Sequence, residues 1–162
     1  LEGAAPVGYR SVFISGTRDP ILVDLVDDIL EGTKAKTATG LGYDPATYQL
    51  TFHVYGKNGV MGANESVTQS VPHELGIVCE AVGETQQVAH DVCSFAAGTL
   101  LHYPYEGRKA TAGNLAFPHS PATIDAGPVY QFSIYHLLEV DDPVSLFVLH
   151  REEVTPAQLE EA

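Results

Sequence analysis

The chain has 162 residues, enough for one domain of ordinary size, and 44% of them are hydrophobic, as is typical of a globular protein. Its formal net charge of −13, with only 8 Lys and Arg residues, argues against a nucleic-acid partner and against an anionic membrane surface. No apolar run approaches the roughly 20 residues of a membrane-spanning helix, and the first residues lack the pattern of a signal peptide.

The N-terminal part of the chain predicts a strand followed by an amphipathic helix. Residues 10–15 are β-branched and aromatic, which favours a strand. Asp19 and Pro20 predict the start of a helix, because Asp is a good N-cap and the missing N–H group of Pro costs nothing at the first helical position. An apolar stripe at helical spacing follows, and it needs a sheet to cover it: Ile21, Leu22, Leu25, Val26, Ile29 and Leu30.

Three further strands and a second helix are predicted in the remainder. Residues 48–55 alternate between apolar and polar side chains, as in a half-buried antiparallel strand, and residues 75–82 form the next strand. Residues 84–101 carry an apolar stripe at helical spacing, and residues 129–140 predict a long final strand. Residues 152–162 are acidic and contain a proline, so we expect a loosely held tail.

The element order β-α-β-β-α-β predicts an α+β fold of the ferredoxin-like type. In that fold, four antiparallel strands carry two helices on one face of the sheet. We expect residues 1–151 to form one such domain, with two long loops at residues 56–72 and 103–128. Loops of this length are usually functional or disordered, and the apolar residues and prolines of the second loop favour order. That loop is therefore the expected principal site.

Several side chains of the second loop suit anion binding and proton transfer. The planar guanidinium of Arg108 can hold a carboxylate, Asn114 can orient a carbonyl group, and Ser120 completes this substrate-binding set. His119 is the expected catalytic residue, because prolines on both sides limit its backbone and an imidazole exchanges protons near neutral pH. The alternative is that Asn114 and His119 only hydrogen-bond the loop to itself.

The glycine-rich segment 56–62 is the second candidate for anion binding. Glycines allow backbone N–H groups to approach a ligand closely, and Lys57 adds a positive charge beside Asn58 and Gly59. The segment is not a Walker loop, because its lysine is not followed by Ser or Thr. The alternative is a plain loop with Asn58 and Gly59 at its turn.

No residue pattern predicts a metal site or a resident cofactor. The 7 histidines are scattered without ligand spacing, and His136 is the second candidate after His119 for a chemical role. Cys79 and Cys93 lie in apolar segments without zinc-site spacing, and a disulfide between them is possible but not needed. We therefore expect reduced cysteines and a cytoplasmic location.

Five long motifs are spread over residues 10–147. They are Arg18-Asp-Pro-Ile-Leu, Val54-Tyr-Gly-Lys-Asn-Gly-Val-Met-Gly62, His73-Glu-Leu-Gly-Ile-Val, Thr111-Ala-Gly-Asn-Leu-Ala-Phe-Pro-His-Ser-Pro121, and Gly127-Pro-Val-Tyr followed by Glu139-Val-Asp-Asp-Pro. Together they resemble the C-terminal part of the acyclic terpene utilisation (AtuA) family.

The resemblance implies a catabolic enzyme that acts on terpenoid or branched acids as CoA thioesters, by a hydratase, lyase or isomerase type of reaction. The CoA thioester would be a substrate and not a cofactor. Family members usually carry a larger α/β portion before this segment, so the resemblance implies either a subunit of a split enzyme or a part of a longer chain. The expected partner is that larger α/β chain or a second copy. Two alternatives are a non-catalytic assembly subunit that supports a larger catalytic chain, and a small-molecule sensor.

Overall fold

The computed structural model describes residues 1–67, 72–112, 114–148, 150 and 151. The chain divides into two compact units, a larger one of Ala4–Gln131 and a smaller one of Leu1–Gly3 with Phe132–Ala162. The predicted acidic tail, residues 152–162, lies outside the described residues. No helix in the described part of the chain is both long and apolar enough to cross a bilayer.

Four strands form an antiparallel sheet in the order β2-β3-β1-β4. β3 pairs with both β1 and β2, so that Phe13 and Phe52 lie opposite Cys79 on its two sides. The predicted α+β class and the antiparallel sheet are confirmed. The last strand begins before the predicted residue 129 and ends before His136, which therefore follows the strand. The strands are β1 Glu2–Thr17, β2 Tyr48–Tyr55, β3 Leu75–Gly83 and β4 Ile124–Tyr135.

The predicted start of the first helix is confirmed. Asp19 accepts a hydrogen bond from the N–H group of Ile21 through its side chain, and a proline occupies the first helical position. The helix is interrupted at Leu25, where the dihedral angles are φ −98° and ψ 12°, so two helices replace the single one that the stripe predicted. The helices among the described residues are α1 Pro20–Asp24, α2 Val26–Gly40 and α3 Gln86–Leu101.

One buried cluster joins the helices to one face of the sheet. Phe13 of β1 and Ile77 of β3 are fully buried, and they point to the same face because side chains alternate along a strand. Val26 of α2 and Val92 of α3 belong to the same cluster. The apolar stripes of both predicted helices therefore cover this face.

The two cysteines lie in this core as free thiols. Burial raises the pKa of the Cys79 thiol well above its usual range, and a hydrogen bond with Cys93 adds to the effect. Both thiols are fully buried, so neither is accessible to a substrate in the folded chain.

Candidate functional site

The long loop is attached to the end of β1 by a pair of backbone hydrogen bonds. Gly16 and Ala116 each donate an N–H group to the carbonyl of the other, at 2.8 Å. Leu115 is buried in the core, and the ring of Phe117 packs on Phe13 with centroids 6.0 Å apart. The apolar residues of the loop thus hold its middle against the sheet.

A cleft of about 600 Å³ lies between this part of the loop, the end of β1 and the start of β3. We call it the β1 cleft. Its wall is mostly apolar, with contributions from Leu75, Leu115 and Phe117. Its polar side chains are those of Ser15, Thr17, Arg18, Glu74 and Asn114.

Two side chains of the β1 cleft lack partners within the part of the chain that the structure describes. Ser15 is 1% exposed, and its hydroxyl group has no hydrogen-bond partner there. An unsatisfied buried polar group costs about 1–3 kcal/mol, so the hydroxyl group of Ser15 is an unusual feature of the wall. Arg18 is exposed, and its guanidinium group forms neither an ion pair nor a hydrogen bond with another described residue. The cleft therefore presents one cation, Arg18, and one carboxylate, Glu74, and the hydroxyl group of Ser15 lies covered in its wall.

A second cleft of about 430 Å³ lies between α3 and residues 117–123 of the loop. We call it the α3 cleft. His90, Ser94 and Thr123 supply its polar groups, and the hydroxyl group of Ser94 donates to Oγ1 of Thr123 at 3.1 Å. The remaining wall is apolar and includes Leu101 and Phe117.

The histidine of the α3 cleft is paired with an aspartate. Nδ1 of His90 lies 2.9 Å from Oδ1 of Asp125, which also accepts a hydrogen bond from the hydroxyl group of Ser11 at 2.7 Å. The bond from Ser11, followed by that from His90, holds the pKa of the Asp125 carboxyl group below its usual value. The pair thus has a charged carboxylate at neutral pH.

Arg108 was expected to bind a carboxylate of the substrate, but in the structure it binds backbone carbonyl groups instead. Its guanidinium group donates to the carbonyl groups of Leu101, His102, Tyr103, Ala110 and Thr111. An arginine side chain has five N–H donors, and all five are used here. Arg108 thus caps the C-terminal end of α3, and it lines neither cleft.

The groups of the glycine-rich segment that were expected to bind an anion instead bind other groups of the chain. The N–H groups of Lys57, Asn58 and Gly59 all donate to the carbonyl group of Val54, at 3.2, 3.1 and 2.8 Å. The ammonium group of Lys57 forms an ion pair with Asp27 of α2. These three residues line neither cleft, so the structure does not bring them together with the long loop.

The remaining predicted residues are divided between the clefts and the surface. Asn114 lines the β1 cleft, whereas Ser120 is exposed and lines neither cleft. Nδ1 of His119 lies 2.8 Å from the carbonyl oxygen of Pro121, and its Nε2 is buried without a hydrogen-bond partner in the described residues. In the smaller unit, His136 exchanges backbone hydrogen bonds with Leu1.

Sequence reasoning missed Ser15, Arg18 and His90 as site residues. No sequence signal marked Ser15, because the buried residues of β1 are mostly polar: Ser11, Phe13, Ser15 and Thr17. Nothing in the sequence distinguished His90 from the other histidines, because its partner Asp125 is distant along the chain.

No family model, curated protein or solved structure matched this chain. Within the described ranges, no group of three or more His, Cys, Asp or Glu side chains is arranged to hold a metal ion.

Proposed function

We propose that this chain is a component of an AtuA-like catabolic enzyme and that it binds an acyl compound in the β1 cleft. The ligand is a branched carboxylic acid or its CoA thioester. The observation that carries this proposal is the exposed guanidinium group of Arg18 in a mostly apolar cleft whose wall contains the buried hydroxyl group of Ser15; neither group has a partner among the described residues.

The chemistry of the cleft matches that ligand class. Arg18 can donate two parallel hydrogen bonds to a carboxylate, or bind a phosphate of a CoA thioester. The side-chain amide of Asn114, which lines the cleft, can donate to an acyl oxygen, and the hydroxyl group of Ser15 becomes a second donor when a ligand displaces the side chains that cover it. A volume near 600 Å³ lies in the range of small-molecule sites, and the apolar wall suits a branched hydrocarbon chain.

The wider proposal follows the family resemblance. The reaction is of the hydratase, lyase or isomerase type, and a larger α/β chain or a second copy completes the enzyme in the cytoplasm. We also propose that the fold is ferredoxin-like. The strand order and the single buried cluster shared by α2 and α3 support that arrangement.

Binding of 3-methylbutanoate and of its CoA thioester, measured by isothermal titration calorimetry, tests the proposed ligand class. Loss of a charge-assisted hydrogen bond costs about 1.5–3 kcal/mol, so Arg18→Gln should weaken carboxylate binding by roughly tenfold or more. Ser15→Ala should weaken binding less and should leave the fold stable, because it removes an unsatisfied hydroxyl group. The matched control is Lys109→Gln, which removes an exposed cation outside the cleft. Equal affinity in Arg18→Gln and the unaltered chain would contradict the assignment, as would absence of binding.

One observation favours the second candidate, an assembly subunit that supports a larger catalytic chain. The smaller unit exposes several large apolar side chains, including Leu137 at 97%, Tyr135 at 78% and Phe132 at 74%. Exposed large apolar side chains of this kind are typical of surfaces that contact another protein.

Light scattering separates the two candidates when it is combined with the titrations. An assembly subunit should form a defined complex with its partner or with itself and bind neither acyl probe. A monomer that binds both probes would support the first candidate alone.

A further inference from the structure

The pair of His90 and Asp125 has a fixed hydrogen-bond direction. A carboxylate only accepts hydrogen bonds, so Nδ1 of His90 carries a hydrogen, and in the neutral ring the lone pair is therefore on Nε2. An aspartate that orients a histidine in this way is the arrangement by which hydrolases prepare a general base. His90 is 42% exposed on its side chain, which leaves the ring accessible from the cleft that it lines.

A hydrogen-bonded chain holds the aspartate in place. The amide nitrogen of Gln86 donates to Oγ of Ser11 at 2.9 Å and to the carbonyl of Arg10 at 3.0 Å. Ser11 in turn donates to Asp125, and Ser11 is completely buried. The carboxylate therefore has a rigid support on β1, which preserves the orientation of the imidazole.

The α3 cleft also contains a hydrogen-bond donor for a ligand. Because the hydroxyl group of Ser94 donates to Oγ1 of Thr123, the hydroxyl hydrogen of Thr123 remains for another acceptor. Its other walls are apolar. A molecule with a carbonyl oxygen and a hydrocarbon part suits this combination of base, donor and apolar surface.

We propose that the α3 cleft is a second acyl site, in which His90 removes a proton from the carbon beside the carbonyl group of an acyl thioester. The C–H bond breaks, its electron pair moves into the carbonyl group to give an enolate, and the proton forms an N–H bond at Nε2. Thr123 donates its hydrogen bond to the enolate oxygen, and Asp125 stabilises the imidazolium. Return of the proton to the same carbon restores both molecules without a co-reactant. The acyl class of the ligand rests on the proposed function. The residues that would carry this step, His90, Thr123 and Asp125, do not line the β1 cleft.

Deuterium uptake tests this step with the full chain. The probe is the N-acetylcysteamine thioester of 3-methylbutanoic acid in heavy water, and proton NMR follows loss of the signal from the carbon beside the carbonyl. A general base contributes about 10²–10⁴-fold, so the chain should accelerate exchange by at least that lower factor over buffer. His90→Gln should reduce the rate to that of buffer, and Asp125→Asn should reduce it by at least tenfold. The matched control is His102→Gln. His102 follows the last residue of α3, contacts the carbonyl oxygen of Thr111 and does not line the α3 cleft, so this variant should keep the full exchange rate.

A second measurement needs neither turnover nor a variant. Nitrogen-15 NMR of the unaltered chain should show the neutral form of His90 with its hydrogen on Nδ1. Exchange at the buffer rate in the unaltered chain, full exchange in His90→Gln shown by circular dichroism to be folded, or a neutral His90 with its hydrogen on Nε2 would each overturn the proposal. Arg18 lines only the β1 cleft and His90 only the α3 cleft, so the change in affinity in Arg18→Gln and the change in exchange rate in His90→Gln distinguish failure of one site from failure of the other.

Discussion

Replacement of Arg108 by alanine should destabilise the fold, because the guanidinium group satisfies the backbone at the end of α3. The carbonyl groups of the last helical turn have no intrahelical partner, and Arg108 supplies donors to Leu101, His102 and Tyr103. Two of its five hydrogen bonds, those to Leu101 and Tyr103, are partly buried. Charge-assisted bonds are worth about 1.5–3 kcal/mol when water is excluded and much less when exposed, so we expect a loss of about 2–4 kcal/mol.

Urea unfolding followed by circular dichroism measures this loss as a shift of the midpoint at constant slope. Arg108→Lys keeps the charge but offers three donors without the planar fork, so it should lose about half as much free energy of unfolding. Lys109→Ala is the neighbouring control and should change stability by no more than about 0.5 kcal/mol. If Arg108→Ala instead unfolds like the unaltered chain and abolishes binding of 3-methylbutanoate, the sequence-based role of Arg108 in substrate binding is right and the capping role is wrong.

Two further predictions concern titratable groups of the larger unit. The hydroxyl group of Tyr105 donates to Asp19 at 2.6 Å and is the main cause of the lowered pKa of that carboxyl group, while burial raises the pKa of Tyr105 to about 12. A carboxyl group whose pKa is lowered on folding stabilises the folded state at pH values above its unfolded pKa, which is near 3.8 for Asp19. Tyr105→Phe should therefore lower the free energy of unfolding by about 1–2 kcal/mol at pH 7 and by progressively less as the pH falls below 3.8. A difference in urea unfolding that does not change with pH would contradict this. Because Cys79 and Cys93 are fully buried, neither should react with a disulfide reagent until the chain unfolds in urea, and rapid reaction of the native protein would refute their burial.

Most elements of the fold could be predicted from local sequence patterns. The alternation of residues 48–55 and the cap at Asp19 depend on neighbouring residues, so the sequence predicted them correctly. The first residues of β4 were missed because Gly127 and Pro128 suggest a loop, whereas an edge strand tolerates a proline. The interruption at Leu25 has no glycine or proline to signal it.

The candidate site was less predictable, because its chemistry depends on contacts between distant segments. A sequence shows that Arg108 is a cation but not that α3's terminal carbonyl groups surround it. Ser15 becomes notable only because its hydroxyl group is buried without a partner in a cleft that the long loop covers. Asn114 is the predicted residue that the structure places in that cleft, while the predicted roles of His119, Ser120 and the Lys57 segment remain predictions.

The ring of Phe117 forms part of the wall of both clefts. If the two proposed ligands bind, a molecule that shifts this ring in one cleft would change the shape of the other, and the two binding equilibria would be linked. Linkage is reciprocal: if an acid in the β1 cleft strengthens binding of a thioester in the α3 cleft by some factor, the thioester strengthens binding of the acid by the same factor. Each affinity would then have a defined value only at a stated concentration of the other ligand, and substitution of Phe117 by a smaller residue should make the two affinities independent.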